Sequence, residues 1–484
     1  MSLMETSVEL AATTAANAAA TVAATTSDDE AGGSEAALDR ATVVVVSILA
    51  LAAFMSVLDG TIVTVAVSSL GDVFDSPIST IVWVSVGYLL AAGLALPVAG
   101  WATERFGGRR VFLLGVGLFL LGSLLASVAW SASSLIAVRI VQGFGGGMME
   151  PTALTLAAGA AGPKRVGKVM GILSLIINVA PVLGPLTGGL FATEAHWRWI
   201  FLINLPIGAV VAVSAWIVLP RDTSPRGSGG VDVSGLLMLS PGFVAVLFAI
   251  DRIGAHGAWW SVVLPATVGA GLFVAYVRHA LGADAPLIDV RLLARPQFAA
   301  SVMVMSFVGF VMYSQLVSLP LFLERVHGAT GIEQGVLTTA LGAGLLVSMT
   351  WSSRRSDVTG PRPLARLGGA VTAIGLAVFA LTSDRIGVPA ATVLFVATGL
   401  GFGSMAAPTF ASVYRTVPAT YTAQATTTMF IVVQASASLG VTIIGLVLSD
   451  GSTTAFRPLF LVLSAAALLG SLIARRLPGA PAAS

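Results

Sequence analysis

Residues 42–68 read TVVVVSILALAAFMSVLDGTIVTVAVS, a long apolar run broken by a single charge, Asp59. About 20 consecutive apolar residues are enough for a helix to cross the hydrocarbon of a bilayer. From Ala41 onward the chain repeats this theme, with runs at 42–68, 78–101, 110–130, 132–158, 168–192, 199–219, 232–252, 259–281, 297–323, 330–351, 364–382, 388–412, 425–448 and 457–474. Each run is too long for a membrane strand and none alternates strictly. Helices satisfy every backbone donor within the segment and are the form expected in lipid. The fold class is therefore an all-α polytopic membrane protein with fourteen transmembrane helices. The runs 232–252 and 259–281 are joined by the polar stretch Asp251 to Trp260.

Composition supports this reading. Of 484 residues, 56% are hydrophobic and 10% charged, against roughly 45–50% and 25% in soluble domains. A water-soluble globule and whole-chain disorder are both excluded, the second because too much apolar surface is present. There is no cysteine, so no disulfide framework or thiolate metal site is available. The histidines His196, His256, His279 and His327 lack ligand spacing, and no metal or other cofactor is expected. A net charge of +2 gives no reason to expect nucleic acid. No Gly-x4-Gly-Lys-Ser/Thr occurs, which excludes a P-loop pump.

Residues 1–40 are rich in Ala, Thr, Ser and acids, and no basic n-region precedes an apolar core as a secretory signal requires. They read as a disordered cytoplasmic tail. Lys and Arg accumulate on the cytoplasmic side of membrane proteins. With the N-terminus inside, 19 of the 25 fall in inner segments, 5 in outer ones, and Arg139 lies within a span. A multi-pass protein of the cytoplasmic membrane with both termini inside follows, with 477–484 as the second tail.

Span four holds Gly143-Phe144-Gly145, Met148, Pro151 and Thr152; span twelve holds Gly401-Phe402-Gly403, Met405, Pro408 and Thr409. The prolines are 257 residues apart, and Gly184 and Gly440 are 256 apart. Two homologous six-helix halves, 41–220 and 296–476, with two helices inserted at 231–281, account for this. Such repeats are typical of secondary transporters, whose site lies between the halves near the midplane.

Between spans two and three lies Gly100-Trp-Ala-Thr-Glu104-Arg105-Phe-Gly107-Gly108-Arg109-Arg110, a tight turn carrying one acid and three arginines. The acid can pair with arginine or sit near a helix N-terminus, forming a latch that opens as helices slide. Span four carries Leu135-x3-Arg139-x2-Gln142-Gly143-x-Gly145. An arginine inside an apolar helix is costly, so it should face a partner or a water-filled cavity. Span five carries Gly171-x8-Ala180-x3-Gly184-Pro185-x2-Gly188-Gly189. Small residues four apart let helices approach closely, and Pro185 removes a backbone donor. Then follows Trp197-Arg198-Trp199-Ile-Phe201-Leu-Ile-Asn204-Leu-Pro206-Ile-Gly208.

Together these segments resemble the major facilitator superfamily, in its fourteen-span drug:proton antiporter branch of multidrug efflux type. The Gly100 loop resembles the superfamily's first signature, span four its second, and span five its antiporter signature. The Trp-Arg-Trp segment and Leu58-Asp59-Gly60-Thr61-Ile62-Val63 are similar to marks of the branch. Three departures stand out: Glu104 where Asp is usual, Ala180 for a glycine, and a degenerate counterpart loop Ser353-Arg354-Arg355-Ser356-Asp357-Val-Thr-Gly360-Pro361-Arg362.

The resemblance implies a proton-coupled antiporter that exports hydrophobic small molecules, cationic ones among them, by alternating access. It would be driven by the proton gradient and be neither an enzyme nor a sensor. Its partners would be substrate, protons and bilayer, and a monomer is expected. The alternative within the same fold is export of an endogenous lipid, siderophore or biosynthetic product. Asp59, Arg139 and Glu150 are the ionisable residues within spans of the N-terminal half. Asp59 and Arg139 fall at similar depth and are expected to pair in the central cavity, where a cationic drug could compete with the proton for Asp59. Glu150 lies 11 residues beyond Arg139, about three turns, on nearly the same face. Its repeat counterpart is Ala407 when the prolines are aligned. It reads as a second proton site or an inner cation site, or as a mouth-lining acid. Candidates to line the substrate cavity are Phe54, Met55, Trp83, Tyr88, Gln142, Tyr313, Gln315 and Gln434, since such sites pair apolar walls with few polar groups.

Overall fold

The computed structural model describes residues 39–161, 165–191, 195–221, 232–254, 258–284, 286–329, 331–383, 385–386, 388–417, 421–448 and 453–479. The tail expected over 1–40 lies outside this set up to residue 38, and 477–484 lies outside it from residue 480. Among the described residues all regular structure is helical. The long helices are α1 (Arg40–Ile62), α2 (Trp83–Phe106), α3 (Gly108–Ser127), α4 (Ala132–Ala161), α5 (Val166–Phe191), α6 (Asn204–Val218), α7 (Val233–Gly254), α8 (Trp259–Gly282), α9 (Pro296–His327), α10 (Gly331–Thr359), α11 (Pro361–Thr382), α12 (Val388–Thr416), α13 (Thr422–Val447) and α14 (Phe456–Ile473). They correspond one to one with the fourteen expected spans. Among the described residues, twelve helical segments have the length and apolarity for crossing, α2 and α6 being counted with the short turns Ile78–Ile81 and Trp199–Leu202 that lead into them. The other two spans are α4, whose middle is diluted by glycines, Arg139 and Glu150, and α5, apolar over Val179–Phe191.

Span one ends earlier than its apolarity suggests. α1 stops at Ile62, and a turn leads into a short helix at Val67–Val73. The β-branched run Thr61 to Val65 loses rotamer freedom in a helix. Two hydroxyls there also capture carbonyls, Thr61 Oγ1 donating to Leu58 O at 3.0 Å and Thr64 Oγ1 to Thr61 O at 2.6 Å. At the other end of α1, Asp39 sits before the first turn, accepts the Thr42 hydroxyl, and lies 3.5 Å from Arg165. That hydroxyl bond, aided by the Arg165 charge, holds the Asp39 carboxyl below its ordinary range.

The packing partners of α1–α6 recur eight helices later. α4 packs on α2 and α3 as α12 packs on α10 and α11, and α1 on α5 as α9 on α13. Gly143 and Gly147 bring α4 against the backbone of Tyr88 and Ala92, while Gly399 and Gly403 bring α12 against the backbone of Leu341 and Leu345. Gly145 touches Gly115 and Phe119 of α3 as Gly401 touches Gly368 and Thr372 of α11. These contacts set the offset of α4 and α12 at 256 residues and correct the sequence alignment. Gly143-Phe144-Gly145 is not the partner of Gly401-Phe402-Gly403, and the counterpart of Glu150 is Ala406 rather than Ala407. The glycine spacing, which backbone contact fixes, outranks the resemblance of local residues. The loop that looked degenerate keeps its geometry: Gly107 (φ 94°) and Gly360 (φ 76°) take the same positive-φ turn between α2 and α3 and between α10 and α11.

The halves meet along two seams, α5 against α10 and α2 against α13. Close approaches run from mid-helix to the ends away from the Arg-rich loops. Thr339 Oγ1 donates to Val182 O at 3.1 Å, and Gly335 and Gly331 lie against Pro185 and Gly189. Near the same ends, Ser68 Oγ of the short helix Val67–Val73 donates to Glu324 of α9 at 2.6 Å. Toward the basic face the latch residues Glu104 and Arg105 are exposed, and Gly100 has open space beside it. Helices α7 and α8 form a hairpin resting mainly on α13, with Phe243 at the α2–α13 seam beside Gly93 and Gln434.

Gly147→Leu should abolish folding, because even a Cβ there overlaps the Ala92 backbone, and the larger side chain adds overpacking worth about 1–3 kcal/mol or more. Gly117→Leu, into open space, should be tolerated. Monodispersity and thermal melting in detergent check the pair.

Candidate functional site: a buried carboxylate–guanidinium centre

Asp59 lies one turn from the end of α1. Arg139 lies two turns into α4. Antiparallel crossing brings them to one level, where Arg139 Nη1 is bonded to Asp59 Oδ2. Depth arithmetic thus located the pair correctly. Its setting differs from expectation: Asp59 and Arg139 are 1% and 0% exposed, enclosed by α1, α2, α3, α4 and α6 within the N-terminal half. They do not line the cavity between the halves. The cause is the close α4–α2 approach at Gly143, which turns Arg139 inward against Val84 O (3.3 Å from Nε).

Polar groups surround the pair, with Arg139 Nη2 left without a hydrogen-bond partner among the described residues. Asp59 Oδ1 accepts Gln142 Nε2 at 2.9 Å and Asn204 Nδ2 at 2.6 Å. Both amides also donate to Ser123 Oγ at 2.9 Å, and that hydroxyl lies 3.2 Å from Phe201 O as donor. Arg139 Nη1 donates to Gln142 Oε1 at 2.8 Å. The guanidinium lies 4.2 Å from the Tyr88 ring centroid and 5.6 Å from that of Phe201, contacts that stabilise a desolvated cation. The Tyr88 hydroxyl donates to Ser56 O at 2.7 Å. The centre is roofed by Phe201 and Trp197, stacked edge-on at 6.3 Å, with Phe74 on Trp197 at 5.2 Å.

The sequence reading missed Asn204 and Ser123. Asn204 lies within the Trp-Arg-Trp segment, and its available signal is a lone carboxamide opening an otherwise apolar helix. Ser123 carries no signal of its own.

The expected cavity residues divide. Met55, Tyr88, Gln142 and Gln315 are buried: Met55 in the core, Tyr88 and Gln142 around the charge pair, Gln315 on α9. They are corrected from cavity lining to interior positions. Phe54, Trp83, Tyr313 and Gln434 are half-buried. Gln434 meets Gly93 at the α2–α13 seam. Glu150 is half-buried on α4. The loop acid Glu104 forms no ion pair among the described residues. Arg109 instead donates to Trp216 O at the end of α6 and lies over that ring at 5.2 Å, favourable for a cation at a helix C-terminus. Of the antiporter segment, Gly184 and Gly188 pack on Thr61 and Ile62 of α1, Pro185 and Gly189 on α10, and Gly171 lies near the start of α5.

Comparison with known proteins agrees with this architecture. The family model described as Major Facilitator Superfamily matches residues 49–440 and, in a second match, 301–483. The chain belongs to the Major Facilitator Superfamily. It is 35% identical over 404 residues to "Multidrug resistance protein B homolog" of Mycobacterium tuberculosis, covering 82% of this chain and 75% of that one. It is 31% identical over 297 residues to "Multidrug export protein EmrB" of Haemophilus influenzae, covering 61% and 58%. Among solved structures, a bacterial homolog of the human lysosomal transporter Spinster, inward-facing and unoccupied, matches with a TM-score of 0.65 at 17% identity, covering 92% of this chain and 98% of that one. This superfamily fold is a transporter's.

Arg139→Met leaves a buried carboxylate unpaired and should cost about 3–5 kcal/mol. Combining it with Asp59→Leu should restore most of the thermal stability, since apolar pairs replace buried ion pairs with little loss. Melting curves of both variants in detergent test this.

Proposed function

We propose that this superfamily member is a drug exporter of the cytoplasmic membrane that exchanges its cargo for protons. The positive-inside rule puts the Arg-rich face in the cytoplasm. The exposed Glu104 and the seams closed on the other face support a state open inward. The observation that carries the reading is the fully buried Asp59–Arg139 pair. A charge pair held at such desolvation cost is retained for a task, and the fold does not require it. At the same 256-residue offset the positions of Arg139 and Asn204 are Phe395 and Phe460, each stacked on Phe379, at 5.0 and 4.8 Å.

In this mechanism Asp59 takes a proton from outside when the outer seam opens. The protonated acid loosens Arg139 and α4 shifts against α1 and α2; the proton leaves toward the cytoplasm as Arg139 returns to Asp59 and closes the centre. The drug does not compete for Asp59 directly, because Tyr88 and the surrounding helices close the acid off in the inward state. Cargo binds between the halves, where Phe54, Trp83, Tyr313 and Gln434 offer apolar and polar surface. Glu150 is the cation contact. It shares α4 with Arg139, about 16 Å along the helix axis, so cargo charge and proton charge act on one rigid element.

The experiment uses proteoliposomes under an imposed pH gradient, with internal pH followed while tetraphenylphosphonium or a neutral hydrophobic drug is added. Wild-type protein should move protons on substrate addition, and Asp59→Asn should not, while remaining folded. Undiminished antiport by Asp59→Asn removes that residue from the mechanism. Glu150→Gln should raise the KM for the cation about tenfold, the scale of one charge-assisted contact, and leave the neutral drug unaffected. Equal loss for both cargoes refutes the cation role.

A further inference from the structure

The two oxygens of Asp59 are treated differently. Oδ2 meets Arg139, whereas Oδ1 meets only neutral amides, Gln142 at 2.9 Å and Asn204 at 2.6 Å. Gln142 is itself bound to Arg139 Nη1 and so tracks the arginine. Asn204 is not. It comes from α6, is 2% exposed, and its remaining polar contact is Ser123 Oγ. We infer that Asn204, held by Ser123, is a positioning residue of proton coupling: it fixes Oδ1 of Asp59 as the proton-accepting oxygen and sets the pH at which that oxygen fills.

The chemistry follows from donor and acceptor counting. A carboxylate only accepts, and each N–H aimed at it favours the ionised form. Once a proton sits on Oδ1, one of its two acceptor positions becomes a donor, so one of the two amide N–H groups must give way. The amide must turn so that its carbonyl accepts the new O–H, or withdraw. Gln142 cannot respond as freely while its carbonyl is held by Arg139. Asn204 is the first residue of α6, directly after the turn Trp199–Leu202 that carries Phe201 over the centre. Protonation of Asp59 therefore acts on the entry of α6 and on its aromatic roof as well as on α4.

The groups facing Asp59 leave few other determinants. Among the described residues, the charged and titratable ones are Arg139 from α4 and the Tyr88 phenol from α2. From α3 and α6 come Ser123 and Asn204, and from α5 Gly184 packs on neighbouring Thr61. The fold does not need a carboxamide at this point, since Phe460 occupies the position in the C-terminal half.

This inference rests on Asp59 being the coupling acid, so its test reads protonation without transport. The infrared C=O stretch of protonated carboxyl is titrated in purified detergent-solubilised protein, the Asp59 band being assigned by its loss in Asp59→Asn. In Asn204→Leu, which keeps the branching and heavy-atom count and removes the donor, the band should grow in about one pH unit higher, roughly tenfold in proton affinity. In Ser123→Ala it should move in the same direction by less. A folded Asn204→Leu with the wild-type midpoint overturns the inference and leaves Asn204 as packing. If Asn204→Leu does not fold, Ser123→Ala decides, and an unmoved midpoint there overturns it equally. Failed antiport in liposomes with a shifted band would count against the proposed function alone. The converse would count against Asn204 alone.

Discussion

Holding a carboxylate and a guanidinium inside a bundle that is itself inside a bilayer is the most demanding arrangement in this molecule. Taking each ion out of water costs several kcal/mol even after relaxation, and only good geometry with further hydrogen bonds offsets that. The N-terminal half is organised around meeting this requirement. Five helices each contribute a group to it: Asp59 from α1, the Val84 carbonyl and the Tyr88 ring from α2, Ser123 from α3, Arg139 and Gln142 from α4, and Asn204 from α6. Those helices can converge because Gly143, Gly145 and Gly147 let α4 lie against the backbones of α2 and α3. Glycine packing and charge burial are thus two sides of one constraint, since without the first the second would have no enclosed volume.

The C-terminal half is an internal control supplied by the chain itself. It has the same helix neighbours and equivalent glycine contacts, yet fills the corresponding volume with Phe322, Phe379, Phe395, Phe456 and Phe460, stacked edge-on or tilted at 4.8–6.0 Å. Aromatic burial is the inexpensive way to complete this fold. One half is therefore built for packing and the other for a change of charge, and the asymmetry separates residues that support the scaffold from those that work within it.

The number of helices, the repeat and the Asp59–Arg139 pairing were legible in the sequence because each rests on one-dimensional quantities: run length, spacing and rise per residue. What could not be read was the direction each side chain takes around its helix. Arg139 and Gln142 turn inward, while Glu150, three turns along α4, is half-buried. The difference comes from which neighbour the glycines admit, a pairwise property. The repeat register failed by one or two residues for a related reason. Phe144 and Phe402 look alike, but backbone contacts at Gly143 and Gly399 fix the true correspondence. Asn204 and Ser123 were passed over because each, read alone, is one small polar residue in an apolar run.

The α7–α8 hairpin carries a mechanical consequence. Trp259 and Trp260, 75% and 59% exposed, stand at one end of α8, and Arg291, reaching back to the Leu281 carbonyl, stands at the other. Indole rings settle at either headgroup layer and guanidinium groups favour the cytoplasmic one, so anchors at both ends of α8 let lipid pin the hairpin's height. Since the hairpin rides chiefly on α13, the C-terminal half is coupled to a float, and its tilting is measured against a fixed waterline. Membrane thickness is thereby a load on the transport cycle, acting through a pair of helices remote from every charged group at the centre.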